Sequence, residues 1–307
     1  MLSTSTNLVI DVYYVDLLHW SYTVDEPLVA ECRKELLPDT ENRKVDQYVQ
    51  EVDKKMCLAS RLLPRYIVNK VTGVPYEKVS VLNRGRNDMG MFKPAYGPPF
   101  HTPIDDTLNI WDAYPNFSIS HDSGVVCMGV NPVYGVGVDI QTISLPRIYK
   151  SAREFVEDMR ADVLSEDEYK LIMKDNDDKG VLRGFFRIWT AKESYQKCVG
   201  LGFALPMTEL RIDPGGDVLR LYNGKWVPQG RHFRLERFSL EQGDGMTEIV
   251  GCACLGELAL CDPSWTSYRP RNWPSPSVEG GAYSISINLH HLDMSQDILS
   301  GYHLSNS

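Results

Sequence analysis

Glu193 and Lys197 stand four residues apart in the stretch Phe185-Phe186-Arg187-Ile188-Trp189-Thr190-Ala191-Lys192-Glu193-Ser194-Tyr195-Gln196-Lys197. On a helix that spacing puts them one turn apart on one side, beneath an apolar turn of Phe185, Ile188 and Trp189. A carboxylate and an amine held in one direction can take up a proton and neutralise growing negative charge. The same spacing also makes an ordinary surface ion pair, the commoner outcome for such a segment taken alone. Upstream, Asp139 interrupts the apolar run Tyr134-Gly135-Val136-Gly137-Val138-Asp139-Ile140-Gln141. Strand alternation puts Asp139 and Gln141 on one side, with Val138 and Ile140 on the other. A buried carboxylate needs a partner or a metal, because desolvating it alone is costly; capping of a nearby loop is the plainer alternative.

Other residues suit phosphate. Ser120 and His121 close the run Asn116-Phe117-Ser118-Ile119-Ser120-His121, whose alternation predicts one arm of a hairpin with both residues near its turn. Hydroxyls and an imidazole beside backbone N–H groups can hold an anion, although a histidine after a strand is usually structural. Arg61 and Arg65 follow an apolar helical face and read as solvated unless an anion lies nearby. The segment from Asn83 to Pro99 sets Arg84, Arg86 and Lys93 among glycines and prolines, which suits a phosphate loop or any surface turn.

Elements able to position these groups can be read from periodicity. Leu8 to Val15 is β-branched and aromatic and predicts a strand. A helix is expected from about Val45 to Val71, kinked or divided at Pro64. Ser165-Glu166-Asp167-Glu168 matches a capping box that starts a helix carrying Tyr169, Leu171 and Ile172. The key helix runs from about Val181 to Cys198 and is closed by Gly200 and Gly202. Hairpins follow, turning at Asn223-Gly224 and at Gln242-Gly243-Asp244-Gly245. From Asp262 onward, Trp265, Tyr268, Trp273 and several prolines among serines read as an extended arm, with aromatics docked at best and the last residues mobile.

Composition narrows the classes. The chain has 307 residues, 43% hydrophobic and 24% charged, and a net charge of -9. That is globular, long enough for two modest domains or one large one, and unsuited to general nucleic-acid binding. No apolar run reaches 18 residues and no basic-then-apolar leader is visible, so a soluble, cytoplasmic protein without a membrane partner is expected. The seven cysteines, mostly within apolar segments, suit buried thiols in a reducing compartment. Gly135-Val136-Gly137 lacks the third glycine and the following helix of a dinucleotide site, and no Walker phosphate loop is present. Asp175 to Gly180 is too short for a calcium loop.

Taken in order, Ser120-His121, Gly137-Val138-Asp139-Ile140 and Trp189 to Lys197 resemble the motifs of the 4'-phosphopantetheinyl transferases. The likeness is to the larger, two-lobed class named after the surfactin-synthesis enzyme, in a eukaryotic-like form. It runs from about Arg61 to Leu210, and Lys93-Pro94 is similar to the basic loop that precedes the family's Ser-His motif. Three features depart from the pattern. Ser118 stands for the usual asparagine, Gln141 for the frequent glutamate, and the C-terminal arm lies outside the likeness.

The resemblance implies an α/β (α+β) fold: a pseudodimer of two similar lobes with the active site in the cleft between them. The expected parts are an N-terminal lobe over 1–134, a C-terminal lobe over 135–261 and an arm over 262–307. It also implies an enzyme of the holo-[acyl-carrier-protein] synthase type. Such an enzyme transfers the 4'-phosphopantetheine of coenzyme A to a serine of apo acyl or peptidyl carrier domains and releases adenosine 3',5'-bisphosphate. The carriers would belong to fatty acid, polyketide, nonribosomal peptide or aminoadipate reductase systems, and the protein would act as a monomer. By resemblance, Asp139 and Glu193 hold Mg2+, with Gln141 as a further candidate, and Glu193 deprotonates the serine. Lys197 stabilises the pyrophosphate, Ser120 and His121 contact the 3'-phosphate, and Arg61 and Lys93 are further phosphate ligands. A non-catalytic carrier-binding module of the same fold is the alternative.

Overall fold

The computed structural model describes residues 7–83, 99–102, 116–131, 134–213, 216–230, 232–256 and 284–305. The β-branched opening run forms strand β1 (Asn7–Asp16). Helices α1 (Glu26–Leu36), α2 (Asp39–Asp46) and α3 (Glu51–Thr72) follow. Strands β2 (Ser80–Asn83), β3 (Pro99–Thr102), β4 (Asn116–Asp122) and β5 (Val125–Asn131) complete the first half. The second half opens with β6 (Gly135–Thr142), then α4 (Ala152–Val163), α5 (Glu166–Ile172) and α6 (Asp178–Val199). Next come β7 (Leu210–Ile212), β8 (Val218–Tyr222), β9 (Lys225–Pro228), β10 (Phe233–Glu241) and β11 (Glu248–Gly256). Strand β12 (Ser284–Leu292), a π-helical turn (Met294–Leu299) and α7 (Ser300–Ser305) end the described chain.

One supersecondary unit occurs twice, as β1–α3–β4–β5 and as β6–α6–β10–β11. In each, the opening strand pairs antiparallel with the second strand of the later hairpin, giving β1-β5-β4 within a six-stranded sheet and β6-β11-β10 in a three-stranded one. The helices α3 and α6 are each 22 residues long and end on a left-handed glycine, Gly73 at φ +72° and Gly200 at φ +76°. This repetition is the two-lobed α+β architecture. Each helix packs its apolar face on its own sheet, making one core per lobe. A third cluster takes Ile10, Val12 and Cys127 from one sheet and Val136, Ile140 and Leu255 from the other, so the lobes share a buried seam.

Two expectations change. The helix expected over 45–71 is two helices, because Gln50 is extended at ψ 131° between them, while Arg33 holds Asp46 at the end of α2 at 2.8 Å. Pro64 neither divides nor ends α3. It is buried beside Leu62, Leu63 and Ile67, whose packing outweighs the lost backbone bond. Second, residues 284–305 are not an arm. Strand β12 lies parallel to β1, in register from Asn7↔Ser284 to Val15↔Leu292. Leu292, Met294, Ile298, Leu299 and Tyr302 then enter the first lobe's core. The alternation of Ile285 and Ile287 with polar residues supplies the strand period within a linker-like composition. Trp265, Tyr268 and Trp273 lie outside the described residues. Among the described residues, no helix is long and apolar enough to cross a membrane.

Candidate active site

Helix α6 starts at Asp177, whose carboxylate accepts from the Gly180 N–H at 2.8 Å. Its buried residues include Val181, Phe185, Ile188, Ala191, Tyr195 and Cys198, and they set the helix down on β6 and β11. The approach is closest at Gly137, where a β-carbon would lie 1.8 Å from the Ser194 carbonyl oxygen and 2.6 Å from the Cys198 nitrogen. The strand can therefore carry only glycine there. Sequence reasoning missed this role, although a glycine inside an apolar strand is the signal for such an approach.

That proximity lets Lys197 reach across to β6. Its ammonium donates to Asp139 Oδ1 at 2.7 Å and to the Val138 carbonyl at 3.1 Å. From β4, Ser120 donates its hydroxyl to the same Asp139 Oδ1 at 2.8 Å. The hydroxyl oxygen in turn accepts from Lys197 Nζ at 3.2 Å and from the Ile140 N–H at 3.3 Å. The ion pair of Lys197 is thus with Asp139 on β6 rather than a decorative one along the helix. Burial presses the Lys197 pKa down, but the charge and hydrogen bond of Asp139 and the charge of Glu193 outweigh it and hold the ammonium above the ordinary lysine value.

Glu193 is half-buried. Desolvation pushes its carboxyl above the ordinary value; Lys197 pulls it partly back and the Asp139 charge adds to the rise. Asp139 is 3% exposed, and its Oδ2 is buried with no hydrogen-bond partner among the described residues. Gln141 lies two residues further along the same strand face and is half-buried. Among the described residues, no group of three or more His, Cys, Asp or Glu forms a metal cage. Two carboxylates, a nearby amide and an unpartnered buried oxygen nevertheless suit a hard cation that completes its shell with water and phosphate oxygens.

Of the other predicted residues, Ser120 joins this cluster and Arg61 does not. Ser120 and His121 are neighbours on a strand, so they face opposite ways: Ser120 is buried at 6% exposure, whereas His121 is exposed. Crowding by protein, then the Lys197 charge, holds the His121 imidazole below its ordinary value. The hairpin turn beyond it, Ser123-Gly124, has φ of +47° and +88° at its two residues, which matches the strand twist. Arg61 lies on α3, where its guanidinium donates to the Cys57 carbonyl at 2.6 Å. No hydrogen bond or ion pair among the described residues joins it to the Asp139 cluster. Arg65 pairs with Glu41 at 3.2 Å. Lys93 lies outside the described residues.

Lys192, next to Glu193, is fully buried away from the cluster. It donates to the Val163 carbonyl at 2.7 Å and to Glu168 at 2.8 Å. Glu168 is the last member of the predicted capping box and also accepts from the Ser165 and Ile212 N–H groups at 2.7 and 2.8 Å. Burial lowers the Lys192 pKa, and Glu168 opposes that.

Comparison with known proteins gives two family matches. The 4'-phosphopantetheinyl transferase superfamily model matches residues 135–238, and a 4'-phosphopantetheinyl transferase N-terminal model matches residues 20–132. A rat L-aminoadipate-semialdehyde dehydrogenase-phosphopantetheinyl transferase is 27% identical, over 66% of this chain and 62% of its own length. A 4'-phosphopantetheinyl transferase of Paxillus involutus is 28% identical, over 55% and 62%. One from Aneurinibacillus migulanus is 32% identical, over 54% and 57%. The chain thus spans about three fifths of the length of these relatives.

Proposed function

We propose that this chain, which belongs to the 4'-phosphopantetheinyl transferase superfamily, moves the 4'-phosphopantetheine of coenzyme A onto a serine of an apo carrier domain. The observation that carries this reading is the junction at which Lys197 and Asp139 meet at 2.7 Å beside a half-buried Glu193 whose carboxyl burial pushes above its ordinary value. The serine oxygen bonds to the phosphorus that bears pantetheine, and the bond from that phosphorus to the bridging pyrophosphate oxygen breaks. Adenosine 3',5'-bisphosphate leaves with the electron pair.

Glu193 takes the serine proton, directly or through a water, and its raised affinity for a proton suits that task. Lys197, held cationic by Asp139, faces the charge gathering on the leaving phosphate. Asp139 and Glu193, with Gln141 beside them, would hold a magnesium ion, which supplies charge withdrawal from the pyrophosphate oxygens. His121, at the exposed end of β4, contacts the coenzyme's 3'-phosphate, with Arg61 and Lys93 as further phosphate ligands.

The activity is of the holo-[acyl-carrier-protein] synthase type, acting as a cytoplasmic monomer on acyl or peptidyl carriers. The rat relative is named for L-aminoadipate-semialdehyde dehydrogenase, so an aminoadipate reductase carrier heads the panel to test, before fatty acid, polyketide and nonribosomal peptide carriers. Incubation with magnesium, coenzyme A and each apo carrier should add a phosphopantetheine mass to the carrier serine. Folded protein that binds a carrier yet adds no mass to any of them would instead be a non-catalytic binding module.

A further inference from the structure

Strand β6 is an edge of its sheet, so N–H groups on its outer side have no strand to pair with. Strand β4 of the other lobe meets them with side chains. Ser118, Ser120 and Asp122, alternate residues on one face, accept from the N–H groups of Val138, Ile140 and Thr142 at 3.1, 3.3 and 2.6 Å. The middle rung does more than join the lobes. A serine hydroxyl has one donor and two acceptor sites, and at Ser120 all three are in use. The proton goes to Asp139 Oδ1, and the oxygen receives Ile140 N–H and Lys197 Nζ. Asp139 Oδ1 therefore receives both Ser120 and Lys197, while the buried Oδ2 receives nothing from the described residues.

We infer that Ser120 is a positioning residue that orients Asp139 and reserves its Oδ2 for a divalent cation, rather than a contact to the coenzyme's 3'-phosphate. The inference rests on the transferase reading for the identity of the cation's use, but not for the cation binding itself. A hydroxyl saturated by three partners has nothing left to offer a phosphate, whereas the exposed His121 does. Groups that hydrogen-bond to a ligating carboxylate and orient it are worth about 10- to 100-fold in metal affinity.

The test is manganese binding to the full chain, followed by paramagnetic resonance with and without coenzyme A, together with affinities for coenzyme A and for dephospho-coenzyme A, which lacks the 3'-phosphate. Ser120→Ala should weaken manganese about tenfold and leave the preference for coenzyme A over dephospho-coenzyme A at its wild-type ratio. His121→Ala should lose that preference. Ser118→Ala removes a neighbouring rung without touching Asp139 and should bind manganese as the wild type does. If Ser120→Ala does not fold, Ser120→Cys, a weaker donor of similar size, should give a smaller loss of the same kind. Unchanged manganese affinity in Ser120→Ala with a collapsed preference for coenzyme A would overturn the inference. So would equal manganese losses in the Ser118 and Ser120 variants. Because manganese is read without turnover, failure of the transferase reading would show separately, as no carrier mass gain.

Discussion

Gly137 and Ser194 approach so closely that a β-carbon on the first would fall 1.8 Å from the carbonyl oxygen of the second. This contact sets the depth at which α6 rests on β6, and with it the reach of Lys197 to Asp139. Gly137→Ala must push strand and helix apart, and a misplacement of about 1 Å costs on the order of 100-fold in turnover. Steady-state kinetics on the folded variant checks this; wild-type turnover would mean that the approach does not position the site.

Glu193→Gln removes the candidate base, and carrier modification should fall by about 100- to 10,000-fold. Lys197→Ala should lose turnover with a smaller change in coenzyme binding, because its cation acts on charge that builds up during the reaction. Single-turnover rates and coenzyme titrations separate the two, and either variant at wild-type rate removes the role assigned to that residue.

Gln141 shares the strand face of Asp139 but carries no charge, which leaves two carboxylates to offset a divalent ion. Magnesium should bind weakly to the free protein and tightly with coenzyme A, and Gln141→Glu should raise affinity when coenzyme is absent. Calorimetry with and without coenzyme decides; equal affinities throughout would take residue 141 out of the cation's surroundings.

Lys192 and Glu168 form a buried ion pair whose removal on one side strands a charge. Lys192→Met should destabilise the fold by roughly 3–5 kcal/mol, and adding Glu168→Gln should recover part of that. Urea denaturation measures both, and a single-variant loss below about 1 kcal/mol would mean that the carboxylate finds another partner.

Glu248, at the start of β11, is held by hydrogen bonds from Arg183 at 2.7 and 2.8 Å, and with help from Lys179 its pKa falls from 4.5 to about 2. The folded value lies below the unfolded one, so its contribution is complete above pH 4.5 and is lost as the pH falls towards about 2. Solvent screening keeps it to about 1 kcal/mol. The stability gap between wild type and Glu248→Gln should therefore close over that range; a gap independent of pH would discount the ion pair.

Local signals were legible in the sequence. Ser165 and Glu168 announce their capping box within four residues, Asn223-Gly224 marks its turn, and the period of Phe185, Ile188 and Tyr195 fixes α6. The association of Asp139 with Lys197 came from motif order, since nothing local to either residue reveals a partner 58 positions away. Tertiary pairings were hidden for the same reason. The bonds of Ser120 to Asp139, Ile140 and Lys197 are likewise invisible from β4 alone. Lys192 lies about 100° around the helix from Glu193, but that angle does not reveal its partner Glu168 on α5. Strand β12 escaped because its polar composition matched a linker, and only its pairing with β1 makes it a strand.

That pairing also sets an order of events during synthesis. One edge of β1 is covered by β5, but the other waits for Ser284 to Leu292. At roughly 5–20 residues per second, a ribosome needs on the order of tens of seconds to travel between the two strands. Throughout that interval the nascent first lobe carries an open row of backbone donors and acceptors, the kind of edge that recruits other strands. A translation pause or nonsense codon before residue 284 would therefore expose a surface that β12 hides, so that β1 is completed only long after it is made.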